Sequence, residues 1–485
     1  MTTVTREPSA GAPPVPKELQ AFIESERRRA DVTGAAVAAF DRDGIRFAEG
    51  FGYADLERGE RVTPETLFRA ASISKLFTTT LVLQEVEGGR IGLDEPVNQY
   101  LDADSRVRDR HGAPADDVTI RHLLTHTSGL PVSWRGLNYG PLWWKLVANN
   151  GRPPRSLEDV VKGMRTVRGP GKRMVYSNGG FSLLGYLAQR LNGMPFRDLA
   201  RERVLRSLGM PNSDFPLNPY GPGIATPYGG TLGFGSAGRR PASSIMNRTG
   251  PAAALLTSAL ELARFGRMVL GGGELDGAML LSSQTVEEAT HIQAVNHPAL
   301  DDGWGLGFTV STYRGRRLVG HTGGLAGVAT RIDVLPDDGV GVAVLTNGGD
   351  ALFVARVAER LRETLLGLEP EVVPGSPDGV PAGSEAEWEA FSARVAGRYR
   401  LLDVVPPGVV KRIMPLFARP RVSHVRDGLL AIEGIGREPA FLYADGEVGR
   451  YRVAWPLANG IRAVIEEKAN GTHVWASILH LYRGK

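Results

Sequence analysis

The chain has 485 residues, and its 57 lysines and arginines barely exceed its 53 aspartates and glutamates. That length predicts two or three domains, and the lack of any cysteine excludes disulfides, a thiol nucleophile and thiolate zinc sites. A formal net charge of +4 is too small an excess for a nucleic-acid-binding surface, which needs a concentrated basic stripe.

The first segment, residues 1–15, is rich in Pro, Ala, Ser and Thr and is predicted to be disordered. It has no positively charged stretch followed by an apolar run, so it does not resemble a signal peptide. No uncharged apolar run in the sequence reaches the length that crosses a bilayer. We therefore expect a cytoplasmic protein with neither membrane nor nucleic-acid partners.

Residues 16–367 are predicted to form one domain with strands at both ends and a helix-rich middle. This order favours an α/β (α+β) architecture in which an antiparallel five-stranded sheet is flanked by helices and joined to a helical lobe. The predicted elements are, in chain order, a helix after Pro16, a hairpin turning at Asp43-Gly44, three strands within 317–324 and 331–347, and an amphipathic helix over 351–367.

A second domain is predicted after a linker over residues 368–386. The linker contains four prolines and shows no hydrophobic periodicity. Residues 387–485 contain short strand-like runs separated by Gly, Asp or Asn, which is typical of a small all-β barrel or sandwich.

The chain contains one Ser-x-x-Lys sequence, Ser72-Ile73-Ser74-Lys75, at the start of a segment that is apolar on most sides. Such a segment predicts a buried helix, on which residues three apart share a face. Since burial of a lysine favours loss of its proton, the amine is a candidate base for the serine hydroxyl. Taken alone, the tetrapeptide is also consistent with an N-cap serine and a surface lysine.

A second motif, Tyr176-Ser177-Asn178, is the only Tyr-x-Asn in the chain and precedes a predicted helix. The phenol could pass a proton to a leaving group, and the Asn amide could hold a substrate carbonyl. The alternative is a capping loop with a packed tyrosine.

A third motif, His321-Thr322-Gly323-Gly324, lies at the end of a predicted strand. Its glycines would let a ligand approach the backbone closely. The N–H of Gly324 could pair with that of Ser72 to form an oxyanion hole. A lone histidine at a strand edge is also consistent with a purely structural role.

In this order and at these separations, the three motifs resemble those of the serine β-lactamase and penicillin-binding-protein superfamily. The closest likeness is to its class C-like branch of esterases, D-stereospecific peptidases and penicillin-binding-protein-type thioesterases. FRAASISKLFTTT, VTIRHLLTHTSGLP (118–131) and the segment 170–178 support this resemblance, which covers residues 20–367. The C-terminal domain resembles the lipocalin-like barrel appended to several members.

The resemblance implies that Ser72 attacks a carbonyl and forms an acyl-enzyme, with Lys75 and Tyr176 as base and proton relay. It implies no cofactor and no metal. The other site residues that it implies are Asn178 for substrate positioning, the N–H groups of Ser72 and Gly324 for the oxyanion, Thr322 and Gly323 beside them, and His321 supporting Tyr176.

Two positions depart from the pattern. β-Lactamases and transpeptidases usually carry Lys where this chain has His321, and because His is mostly neutral near pH 7, β-lactamase activity is less expected. Alanines within 250–265 stand where relatives usually have a Gly-Gly pair.

Trp143, in an aromatic loop, and Trp304 are candidate substrate-binding residues, with core packing as the alternative. His126 is interpreted as a structural turn residue.

Three kinds of function stay open. The first is an esterase or D-amino-acid-directed peptidase or amidase with a small-molecule or peptide acyl substrate. The second is a thioesterase or peptide cyclase that acts on a peptide bound to a carrier protein. The third is a β-lactamase or a non-catalytic binder on the same fold. The sequence lacks the Gly-x-Ser-x-Gly, P-loop and His-Glu-x-x-His motifs of other hydrolases and phosphate-binding proteins.

Overall fold

The computed structural model describes residues 13–131, 156–216, 219–229, 241, 250–370, 385–402, 420–426, 429–434, 439–445, 447–454, 462–476 and 479–484. Its α-helices are α1 (Lys17–Arg29), α2 (Ser74–Glu87), α3 (Ile120–Leu124), α4 (Leu157–Val161), α5 (Asn178–Asn192), α6 (Phe196–Ala200), α7 (Gly250–Ala253), α8 (Ala259–Leu270), α9 (Ser283–Ala289), α10 (Ala351–Leu366) and α11 (Glu385–Val395). Its first twelve strands are β1 (Gly34–Asp41), β2 (Ile45–Asp55), β3 (Glu60–Arg61), β4 (Phe68–Ala71), β5 (Leu255–Thr257), β6 (Glu274–Leu275), β7 (Ala278–Met279), β8 (Gly303–Trp304), β9 (Thr309–Tyr313), β10 (Arg316–Leu325), β11 (Val328–Leu335) and β12 (Val340–Thr346).

The larger sheet contains eight strands in the order β3-β2-β1-β12-β11-β10-β9-β8, and all its neighbours pair antiparallel. The five predicted strands form its centre, so the predicted fold class is confirmed. The strands β3, β8 and β9 extend the edges; they have two to five residues and therefore carry little alternating pattern in the sequence.

Helices cover both faces of this sheet. On one face, α1 and α10 bury Ile23 and Phe353 against the sheet. On the other face, α8 packs on β1, where Phe40 is buried against Gly266 of the helix. The helix α2 is buried along nearly its whole length and packs against α5. This placement inside the helical lobe holds the start of α2 beside the sheet.

The C-terminal region forms a nearly closed antiparallel barrel. Its strand order is β13-β15-β16-β17-β18-β19-β20-β21-β14. The two ends of the sheet come together because β13 pairs with β15 at one end and β14 pairs with β21 at the other. Only one residue separates β13 from β14 in the sequence. These strands are β13 (Gly397–Arg398), β14 (Arg400–Leu402), β15 (Arg421–Arg426), β16 (Leu429–Glu433), β17 (Ala440–Ala444), β18 (Arg450–Ala454), β19 (Arg462–Lys468), β20 (Gly471–Ala476) and β21 (Leu479–Gly484).

The helix α11 was not predicted from the sequence. It begins at Glu385, inside the predicted linker, and its Trp388 packs edge-on against Tyr451 in the barrel core. Among the described residues, no helix combines the length and hydropathy needed to span a membrane.

Among the described residues, the barrel contacts the N-terminal unit through both polar and apolar side chains. Asp301 accepts hydrogen bonds from the Arg452 side chain at 2.7 Å and from the Arg462 backbone N–H at 3.1 Å. Leu300 packs against Val464 and Trp475 of the barrel. The combination of buried apolar surface and ion pairing indicates a specific interface.

Candidate active site

Ser72 lies between β4 and α2, at the point where the strand turns into the helix. The residue before it, Ala71, has a left-handed backbone with φ +51°. Such strain in a residue with a Cβ persists only where the surroundings impose it. The Lys75 Nζ lies 3.1 Å from the Ser72 Oγ, so the amine and the hydroxyl are in hydrogen-bond contact, as the spacing on one helix face requires.

The Lys75 amine is fully buried and has no ion-pair partner among the described residues. It donates to the Asn178 Oδ1 at 2.7 Å and to the Ala252 carbonyl at 2.8 Å. Its Nζ also lies 4.8 Å from the centre of the Tyr176 ring. Desolvation by burial lowers the pKa of Lys75 well below its usual value of 10.5. The arrangement favours the free amine, which can accept a proton.

The Tyr-x-Asn motif is fixed by the cap of α5. The Ser177 Oγ accepts from the Gly180 N–H at 3.0 Å and donates to the Pro131 carbonyl at 2.8 Å. This cap places Asn178 in the first turn of α5, facing Lys75, and leaves Tyr176 half-buried just before the helix.

His321 lies on β10, next to the same tyrosine. Its ring centre is 6.2 Å from that of Tyr176, and its Nδ1 contacts the Thr322 carbonyl. Burial, together with the charge of Lys75, lowers the pKa of His321 to about 3. The imidazole is therefore neutral near pH 7 and supplies no fixed positive charge.

The Thr-Gly-Gly part of the motif forms the edge of the site. Gly323 is buried, and a Cβ placed on it would lie 2.3 Å from the Ala70 carbonyl and 2.1 Å from the Thr330 Oγ1. Strand β10 therefore approaches the chain directly before Ser72 as closely as only glycine permits. Thr322 and Gly324 are exposed, and a Cβ on Gly324 would meet no atom within 4 Å.

The structure brings Trp304 into the site, together with His126, which the sequence analysis interprets as a structural turn residue. Trp304 is buried, with its ring centre 5.7 Å from Tyr176 and 5.4 Å from His321. His126 lies against the same tyrosine, with ring centres 4.4 Å apart. Trp143 lies outside the described residues.

Within the described ranges, no group of three or more His, Cys, Asp or Glu side chains is arranged to hold a metal ion.

A sheet flanked by helices, with a serine and a lysine in contact at the start of a buried helix, defines the fold of serine β-lactamases and penicillin-binding proteins. The Beta-lactamase family model matches residues 19–366, and the chain therefore belongs to this family of serine hydrolases. The predicted resemblance is confirmed.

Comparison with individual proteins gives the same result. Penicillin-binding protein 4 of Amycolatopsis lactamdurans is 30% identical over 373 residues, which are 73% of this chain and 91% of that protein. The octameric penicillin-binding protein homologue from Pyrococcus abyssi is 24% identical with a TM-score of 0.62, and the match covers 96% of this chain and 99% of the other. A D-stereospecific amidohydrolase from Streptomyces sp. is 24% identical with a TM-score of 0.57, covering 71% of this chain and 98% of the other.

Proposed function

We propose that the protein is a serine acyl hydrolase that forms an acyl-enzyme on Ser72 and acts as an esterase or a D-amino-acid-directed peptidase or amidase. The observation that carries this proposal is the 3.1 Å contact between the Ser72 Oγ and a fully buried Lys75 amine, which has no carboxylate partner in the described part of the chain. A lysine in this state is a base of the strength that a serine nucleophile needs.

In the first half-reaction, the Lys75 amine takes the proton of the Ser72 hydroxyl while the Oγ attacks the substrate carbonyl. The backbone N–H groups of Ser72 and Gly324 stabilise the oxyanion of the tetrahedral intermediate. When this intermediate collapses, the bond to the leaving group breaks, and the proton reaches the leaving group through the Tyr176 hydroxyl.

In the second half-reaction, water attacks the acyl-enzyme and its proton passes to the base formed by Lys75 and Tyr176. Collapse of the second intermediate returns a proton to the Ser72 Oγ and releases the acid. Atoms and charge balance: one water is consumed for each ester or amide that is cleaved.

The charge state of His321 affects which substrates the site can bind. A neutral His321 offers no fixed cation for the carboxylate of a β-lactam or of a D-Ala terminus. This supports esters and neutral-ended amides over β-lactams. The fold shared with a D-stereospecific amidohydrolase supports a D-configured residue at the scissile bond.

A second candidate is acyl transfer, as in a thioesterase or peptide cyclase, in which an amine takes the place of water. The supporting observation is that the barrel reaches the segment before Tyr176: the Arg173 Nη2 lies 3.3 Å from the His480 Nε2. An appended domain this close to the site could contact a peptide bound to a carrier protein.

The test is intact-mass analysis after incubation with a fluorophosphonate. We expect one adduct on the wild type and none on Ser72→Ala. For Lys75→Ala we expect acylation to slow by at least about 100-fold. A folded wild type that forms no adduct, or an adduct that Ser72→Ala still forms, would overturn the proposal. Product analysis with a peptidyl thioester plus an amine separates hydrolysis from acyl transfer.

A further inference from the structure

His126 holds the backbone on both sides of Tyr176. The Val175 N–H donates to the His126 carbonyl at 2.7 Å, and the Ser177 N–H donates to the His126 Nδ1 at 3.0 Å. Between these two bonds, the imidazole lies 4.4 Å from the tyrosine ring at an interplanar angle of 36°. One residue therefore fixes both the position and the tilt of the phenol.

The second hydrogen bond requires one protonation state of this histidine. An Nδ1 that accepts from a backbone N–H carries no proton, so the imidazole is the neutral Nε2–H tautomer. Complete burial lowers the pKa of His126 well below 6.5, and protonation of Lys75 or His321 would act in the same direction. Two uncharged aromatic rings among the described residues also lie against it, Trp304 edge-on at 4.5 Å and Phe181 at 5.1 Å.

The backbone of His126 is also constrained. Its φ is +60°, a left-handed conformation that is uncommon for residues other than glycine, although histidine adopts it more often than most. Its Nε2 is buried without a hydrogen-bond partner among the described residues. A residue with both an unfavourable backbone conformation and an unsatisfied buried nitrogen persists only where its surroundings hold it in place. Such residues cluster at functional sites.

We propose that His126 is a positioning residue that orients the Tyr176 hydroxyl for proton transfer to the leaving group. This inference rests on the proposed serine hydrolase function and assigns a role that the sequence did not. Correct orientation of a proton donor matters most when the leaving group is basic, because a poor leaving group departs only when protonated.

The experiment compares p-nitrophenyl and alkyl esters of one acyl group in wild type, His126→Asn and His126→Gln. The Asn Oδ1 lies near the position of the imidazole Nδ1 and Asn tolerates a left-handed backbone, whereas the Gln Oε1 lies nearer the position of Nε2. We expect His126→Gln to lose at least about tenfold more kcat/KM on the alkyl ester than on the p-nitrophenyl ester. We expect His126→Asn to show little of this leaving-group-dependent loss, because it keeps the acceptor. We expect Tyr176→Phe to show the same loss as His126→Gln.

A loss that is equal for the two esters would overturn the inference, because a merely structural role changes the amount of folded enzyme and not its dependence on the leaving group. Thermal unfolding of each variant establishes that it is folded, and if His126→Gln does not fold, the same comparison is made between His126→Asn and His126→Gly. The proposed function fails separately, when the wild type itself forms no adduct on Ser72.

Discussion

At Lys75, complete burial lowers the pKa of the amine, and no carboxylate among the described residues pairs with it. The hydrogen-bond acceptors that it contacts are uncharged. Two of these acceptors, Asn178 Oδ1 and the Ala252 carbonyl, are dipoles rather than charges, so they satisfy the donor hydrogens without strongly favouring the ammonium form. The choice of Asn at position 178 is therefore a determinant of the proton affinity of Lys75.

The lowered pKa of Lys75 predicts how the rate of acylation depends on pH. In the wild type, kcat/KM should rise with pH through the lowered pKa of Lys75 and level off well below pH 10.5, since the free amine is the reactive form. Asn178→Asp would place a carboxylate 2.7 Å from the Nζ and raise that pKa. We expect the midpoint of the acid limb to move up by about 1–3 pH units, measured from kcat/KM with an activated ester. Asn178→Ser is the uncharged control, and an unmoved midpoint in Asn178→Asp would contradict the prediction.

The lowered pKa of His321 predicts how the free energy of unfolding depends on pH. Its pKa is about 3 in the folded chain against 6.5 for an ordinary histidine, so the unfolded chain binds more protons between these values. Stability therefore falls as pH decreases from 6.5 towards 3. His321→Asn should flatten this part of the profile, measured by urea unfolding at several pH values, whereas the exposed control His111→Asn should not. A profile for His321→Asn as steep as the wild type's would argue against this account.

At the residue scale, the sequence predicts contacts within one helical turn and misses those made across the fold. The contact between Ser72 and Lys75 follows from their spacing. His126 and Tyr176 are fifty residues apart, and only the packing of the loops brings their rings together. A lone histidine in a turn carries no signal for such a contact.

At the scale of elements, the close approach of β10 to β4 shapes the site. Gly323 lies where a Cβ would overlap the Ala70 carbonyl and the Thr330 Oγ1. Gly323→Ala should therefore push β10 away from the chain before Ser72, lowering stability by about 1–3 kcal/mol and acylation by at least about tenfold. Chemical denaturation and the rate of fluorophosphonate labelling measure these effects. Gly324→Ala is the matched control for stability, because its Cβ meets open space; equal unfolding midpoints for the two variants would contradict the prediction.

Elements were predictable where they are long and periodic. The hairpin of β1 and β2 and the strands β10 to β12 follow from alternation and turn residues. The strands β20 and β21 follow each other closely and pair with each other, and the apolar pattern alone does not separate them. The helix α11 was missed because it begins within a proline-rich stretch that the composition assigned to a linker.

At the scale of the whole molecule, the interface between the two units predicts coupled unfolding. Leu300 is buried between Val464 and Trp475, so Leu300→Asp would place an unpaired carboxylate in an apolar contact. We expect the barrel to unfold in a separate, earlier calorimetric transition in this variant. The exposed Val295→Asp serves as the control and should keep the wild-type profile. A Leu300→Asp profile that matches the wild type would show that this contact does not couple the two units.

The separate C-terminal barrel was predictable from its short strand-like runs, but its contact with the N-terminal unit was not, because a single sequence carries no signal for which surfaces meet. His297 illustrates this: its Nε2 lies 3.0 Å from the Glu466 Oε1, 169 residues away. Neither residue belongs to any motif.

The contact between Arg173 and His480 connects the barrel to the segment that carries Tyr176, since Arg173 precedes Tyr176 by three residues. A substitution at His480 would therefore remove this contact without changing any side chain of the candidate site. Variant libraries directed at β21 would measure whether the appended domain influences acylation, which libraries confined to the residues around Ser72 leave out.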